Sequence, residues 1–126
     1  MSLVLDSGAL ISLERNDLAT WERLSIAHRT GRPPITHGGV IAQVWRGGTG
    51  RQTRLARALR GIRTEPLDDA LGRRAGVLLA RSGLADAIDA ALVALCDHDD
   101  EILTSDPDDI AVLVDAAGLR VDILSV

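Results

Sequence analysis

The stretch "EILTSDPDDIAVLVDAAG", residues 101–118, decides the reading of the fold. Its first part, "EILTSD", is a short apolar run that closes on polar residues, as a buried strand does. Pro107 follows, and "PDDIAVLVDAAG" then carries apolar residues at helical spacing with the proline in the first turn. A strand running straight into a helix is the front half of a βαβ unit, and "LRVDILSV" supplies the returning strand.

Working outward, the same alternation covers the chain. "SLVLD" reads as a buried strand, "SGALISLERN" and "DLATWERLSIAHR" as helices, and "TGRPP" as a break. "ITHGGVIAQVWRGG" begins as a short strand and becomes a helix through Val40, Ile41, Val44 and Trp45, and "GRQTRLARALRG" is a helix with Leu55 and Leu59 on one seam. "IRTEPL" is a strand, while "DDALGRRAGVLLARSG" and "ADAIDAALVALCDH" are helices, the first with an Asp start and a Gly83 stop. Short apolar strands alternating with helices predict a parallel sheet covered on both faces, an α/β three-layer sandwich. At 126 residues the chain is expected to form one domain, residues 1–126.

Composition narrows the function. Apolar residues make up 46% of the chain with only two Trp and no Phe or Tyr, so the predicted core is aliphatic. A single cysteine, Cys96, excludes an internal disulfide, and its place in "DAALVALC" predicts a buried, inert thiol. No apolar run long enough to span a membrane and no signal-peptide pattern occurs, which makes the cytoplasm the expected location. The net charge of −4 argues against a generally basic nucleic-acid binder. Its distribution is uneven, however: nine arginines and no acid lie between Arg23 and Thr64, whereas residues 65–126 carry fourteen acids against four arginines.

The acids are where chemistry is expected. In open parallel sheets, ligands bind beyond the carboxyl ends of the strands. Asp6 closes "SLVLD" and Asp106 closes "EILTSD"; Asp86 and Asp89, three apart, share a face near the start of a helix. Such carboxylates offer hard oxygen ligands to Mg²⁺ or Mn²⁺, which can activate water and stabilise charge developing on a phosphodiester. Each acid also has a local explanation. Asp106 before Pro107 is a helix-start signature, Asp86 with Asp89 a weaker one, and Asp6 can end its strand or cap the next helix, a role Ser7 could share.

The ordered set "LVLDSGALISLE", "LADAIDAALVALC" and "ILTSDPDDIAVL" resembles the PIN-domain family, in particular its small VapC-type members, over essentially the whole chain. The resemblance implies a PIN-like fold and a Mg²⁺- or Mn²⁺-dependent endoribonuclease, a toxin paired with a small antitoxin protein and commonly a homodimer. It makes Asp6, Asp86 and Asp106 the catalytic metal ligands. Asp89 becomes a supporting carboxylate, and Ser7 and Thr104 become hydroxyls that orient a ligand or water. The family's remaining acid is a Glu in a "VxAEV"-like pattern; here "VIAQV" puts Gln43 in that place. An amide can ligate through its oxygen but carries no charge and is no base. Three readings follow: a nuclease in which Asp89, Asp108 or Asp109 compensates, a weakened nuclease, or an RNA- or partner-binding module that does not cut.

The glycine cluster of "RGGTGRQT" does not make a nucleotide site. A Walker A loop requires a lysine, which the chain lacks, and a dinucleotide fingerprint would follow a strand rather than a helix. These glycines are expected to form a turn between two helices. Arg51, Arg54, Arg57 and Arg60 recur every third residue around the following helix, and with Arg46 they form an expected RNA-facing surface beside the acids. Trp21 and Trp45 are expected in the core, and His28, His37 and His98 lack metal-ligand spacing. A phosphatase or receiver-type reading of the first Asp fails, because Gly8 occupies the position of the second Asp and no lysine follows.

Overall fold

A computed structural model describes residues 1–48 and 50–126; Thr49, in the glycine stretch expected to form a turn, lies outside the described residues. Five strands form one all-parallel sheet: β1 (Leu3–Leu5), β2 (Ile35–His37), β3 (Arg63–Glu65), β4 (Glu101–Thr104) and β5 (Asp122–Ser125). Their spatial order is β3-β2-β1-β4-β5. The chain therefore winds outward from β1 to one edge, then jumps back across the sheet to β4 on the other side of β1. That jump makes the gap between the carboxyl ends of β1 and β4 the topological switch point.

Seven α-helices occupy the connections among the described residues. Helices α1 (Ser7–Glu14), α2 (Leu18–Arg29), α3 (Gly38–Val44) and α4 (Thr53–Leu59) belong to the first crossovers, with α1 packed on the other three. Helices α5 (Asp69–Ser82), α6 (Ala87–Ala94) and α7 (Pro107–Ala117) belong to the return and pack on one another. Right-handed crossovers running in opposite directions put the two groups on opposite faces, which gives the three-layer sandwich.

The inner strands are covered on both faces, and this explains their uninterrupted apolar sequences. Val4, Leu5 and Ile102 are fully buried, sandwiched between Leu10, Leu13 and Leu55 from one helical layer and Leu92, Ile110 and Leu113 from the other. Each such side chain contributes roughly 1.5–3 kcal/mol by leaving water. Cys96 is buried, its Sγ donating to the Leu92 carbonyl at 3.3 Å, and burial pushes the thiol well above its ordinary pKa.

Local signals account for the helix limits. Asp17 caps α2 through its carboxylate, accepting from the Thr20 N–H at 3.0 Å and the Thr20 hydroxyl at 2.6 Å, and Asp68 caps α5 through the Leu71 N–H. Gly83 and Gly118 end α5 and α7 in the left-handed conformation, which a glycine enters without a Cβ penalty. Three details depart from the sequence reading. The segment Gly50–Gln52 is a 3₁₀ turn before α4, so Arg51 precedes the α-helix rather than lying on it. Helix α3 stops at Val44, which leaves Trp45 in extended backbone and exposed instead of in the core. Trp21 is only half-buried, with the Arg57 guanidinium 5.5 Å from its ring centre.

Candidate functional site

Asp6 is the keystone of the switch point. It follows β1, is only 3% exposed, and its carboxylate works in two directions at once. Oδ1 accepts from the Ala9 N–H at 2.9 Å, capping α1, while Oδ2 accepts from the Thr104 hydroxyl at 2.5 Å and the Ser105 N–H at 3.1 Å. The cap and the strand-end roles are therefore both real, and the same carboxylate ties β1 to the end of β4. Thr104, also buried, completes the relay by accepting from the Asp106 N–H at 2.9 Å. Gly8 is required beside this junction, since a Cβ there would overlap the Ser105 side chain.

Asp106 occupies the N-cap position of α7, but its side chain makes no capping bond. The helix-start signature is correct for the backbone, with Pro107 in the first turn, yet the carboxylate is exposed and bonds to none of the helix's first backbone N–H groups. Asp86 behaves in the opposite way: its Oδ1 accepts from the Ile88 and Asp89 N–H groups, each at 3.0 Å, so it caps α6. Asp89, in that first turn, is half-buried, and this placement has an electrostatic consequence. Burial first, then the negative charges of Asp86, Asp6, Asp106 and Asp109, push its carboxyl from 3.8 to about 6. The fold thus brings Asp6, Asp86, Asp89 and Asp106 into one field together with Asp109, one of the acids the sequence offered as compensating, whose own carboxyl is raised chiefly by Asp106. No cation from the arginine-rich segment neutralises them: among the described residues the ion pairs are Arg63–Glu65, Arg73–Asp69 and Arg120–Asp99, all on exposed surface away from these acids. Among the described residues no three His, Cys, Asp or Glu side chains are gathered tightly enough to enclose a metal ion. The acids form an open group rather than a closed cage.

The remaining site residues are distributed around this group. Ser7 opens α1 next to Asp6 and is partly exposed. Gln43 is exposed in the last turn of α3. It stands six residues beyond the end of β2, about 9 Å along the helix axis at 1.5 Å per residue. Arg51 and Arg54 are exposed, whereas Arg46 is turned back on its own backbone, its guanidinium donating to the carbonyls of Ala42, Gln43 and Trp45 at the end of α3. Gln52, which the sequence did not single out, is buried behind the glycine turn. Its amide donates to Glu14 Oε1 and to the Val44 carbonyl, both at 2.8 Å, and accepts from the Arg46 N–H at 2.8 Å. It is the staple that holds the end of α3 against α1.

His37 is the largest omission from the sequence reading. It closes β2 and is fully buried. Nδ1 accepts from the Gly39 N–H at 3.0 Å, capping α3, and this leaves the proton on Nε2, which lies 3.0 Å from the Ile88 carbonyl in α6. Desolvation lowers its pKa, so the ring is neutral. Metal-ligand spacing could not have found it; its place at a predicted strand end, immediately before a helix-opening Gly-Gly pair, could have.

No family model and no curated protein sequence matches the chain. Among solved structures, it is similar to a chain in the crystal structure of VapBC2 from Rickettsia felis bound to a DNA fragment from their promoter, with a TM-score of 0.73. The match covers 98% of each chain at 12% sequence identity. The fold is a PIN-like one. At that identity the likeness is one of architecture: the two chains share the sandwich from end to end. No helix among the described residues is long and apolar enough to cross a membrane.

Proposed function

We propose that the chain is a metal-dependent endoribonuclease of the VapC toxin type, hydrolysing RNA phosphodiester bonds at the carboxyl edge of the sheet. The observation that carries this reading is the gathering of Asp6, Asp86, Asp106 and Asp109 around half-buried Asp89 at the switch point, where their charges add to burial in raising its carboxyl to about 6. A purely structural cluster of caps gains nothing from such repulsion; a cation would relieve it. The donor set is all aspartate oxygen, which suits Mg²⁺ or Mn²⁺, ions that keep much of their water and are held by few carboxylates. Asp6, Asp86 and Asp106 would hold it, with Asp89 in support. When bound, it would supply Lewis acidity toward the phosphodiester and a more acidic water.

The chain's own residues divide the remaining work. Thr104 and the Ser105 N–H fix the orientation of the Asp6 carboxylate. Asp106, free of its helix, has the carboxylate best able to adjust to a ligand. Asp89, poised near 6, is suited to accept and release a proton in the neutral range. Exposed Arg51 and Arg54 are suited to the RNA backbone, and the fold neighbour's presence in a VapBC complex supports an antitoxin protein as partner.

A second reading is kept open by Gln43: a PIN-like module that binds RNA or a partner and cuts weakly or not at all. The two are separated by incubating purified parent and Gln43→Glu with RNA in Mn²⁺ or Mg²⁺. Cleavage by the parent that is equal in the variant supports the nuclease with Asp89 or Asp109 compensating. Cleavage only in the variant supports the weakened module, and no cleavage by either chain in either ion overturns the nuclease reading.

A further inference from the structure

We infer that His37 is a positioning residue that holds the first turn of α6, and with it Asp86 and Asp89, in register with the β2–α3 corner. The functional consequence rests on the nuclease reading above; the structural tether does not. Among the described residues, the bond between Nε2 and the Ile88 carbonyl is the sole hydrogen bond joining the β2–α3 segment to α6. Ile88 lies between the two acids, within the turn that Asp86 caps. The same ring caps α3 through Gly39, so one neutral imidazole sets two helices that start from different parts of the chain.

The packing around the ring is matched to this task. A Cβ on Gly39 would stand 2.6 Å from Ile88 Cδ1 and 2.9 Å from His37 Cε1, so the glycine lets α3 close onto both the ring and α6. Thr36, the preceding residue, is fully buried and donates to the Leu5 carbonyl at 2.9 Å, so β2 is anchored to β1 one residue before Asp6. A path of short bonds thus runs from the β1 end through Thr36 and His37 to Ile88, between the α6 acids. Desolvation of the ring keeps it neutral, which preserves Nδ1 as the acceptor the cap needs.

Two variants split the two roles. Asn at position 37 can place an oxygen where Nδ1 sits and keep the α3 cap, but it is too short for the Ile88 carbonyl. Gln can bring an N–H toward Ile88 while giving up the cap. In His37→Asn the amides of Asp89 to Leu92 are expected to exchange about tenfold faster than in the parent, relative to the rest of the core, with His37→Gln close to the parent there. Mn²⁺ affinity, read by electron paramagnetic resonance, is expected to fall about tenfold in His37→Asn and much less in His37→Gln, as for other groups that orient ligands from behind. If exchange in α6 is unchanged in His37→Asn, or both variants lose protection equally and only in step with melting temperature, the positioning role is wrong and His37 is ordinary core. If the parent binds no Mn²⁺, the nuclease reading fails while the exchange comparison still decides the tether.

Discussion

The two halves of the carboxyl edge are built on different principles. On the β1–β4 side, Asp6, Thr104, Ser105 and Asp106 are linked by a chain of hydrogen bonds between neighbouring strand ends, and the acid at the centre has its position fixed from three directions. On the β2–α6 side, the acids stand at the start of a core-packed helix whose hydrogen bond to the β2–α3 corner comes from one histidine, and burial together with the neighbouring carboxylates raises half-buried Asp89. A site needs both: one half rigid enough to define a position, the other held under electrostatic tension that a ligand can discharge. Stability is concentrated in the first half, and charge-dependent behaviour in the second.

The largest break in this contrast is Asp6→Ala. It removes the α1 cap and leaves the Thr104 hydroxyl and the Ser105 N–H without their acceptor, at a cost of about 3 kcal/mol by urea unfolding. The equivalent truncation of Asp106, which caps nothing through its side chain, should cost well under half of that. Gly8→Ala comes next. A methyl group there meets the Ser105 side chain at the same junction and should destabilise by roughly 1–3 kcal/mol, whereas Gly72→Ala or Gly76→Ala, with open space around the added carbon in α5, should not destabilise at all.

The second half is tested by pH. The Asp89 carboxyl is raised from 3.8 to about 6, so folding takes up a proton between those values. Its contribution is fully favourable below the ordinary carboxylate value and is lost as pH rises through about 6. Asp89→Asn should therefore melt higher than the parent above about 6, with the advantage shrinking toward 3.8, while Mn²⁺ affinity of the parent rises over the same window as the cation displaces the proton. A melting difference that does not change with pH would remove the tension from the account. The smallest effect belongs to the surface: Arg54→Ala should weaken RNA binding evenly across sequences and lower its salt dependence by about one released counterion, against almost nothing for Arg46→Ala, whose guanidinium is occupied by α3 carbonyls.

Most of the architecture was readable because it is written in local signals. Strands buried on both faces leave uninterrupted apolar runs, and Pro107 and Gly83 mark a helix start and a helix end that the fold keeps. The nearness of Asp6 and Asp106 was readable for a topological reason: adjacent strand ends in a parallel sheet converge whatever lies between them. What escaped depends on distance in space. That Asp106 does not cap its helix, that Asp109 rather than Asp108 acts on Asp89, and that Arg46 spends itself on α3 are choices among rotamers, invisible to spacing. His37 escaped because both of its partners are backbone atoms, one of them fifty-one residues away, and a screen for ligand patterns looks for side chains. Trp45 was misplaced because α3 ends one residue early, with Gln52 holding the Val44 carbonyl from the far side of the glycine turn.

The most direct test of the central claim uses Asp106, the acid that can be changed without disturbing a cap. Purified parent and Asp106→Asn are compared for RNA cleavage in Mn²⁺, Mg²⁺ and chelator, with melting temperature measured on the same samples. The account predicts cleavage by the parent only with the ion present, its loss in Asp106→Asn, and melting temperatures that agree closely. Equal cleavage by both proteins, or cleavage by the parent that survives chelator, would contradict it.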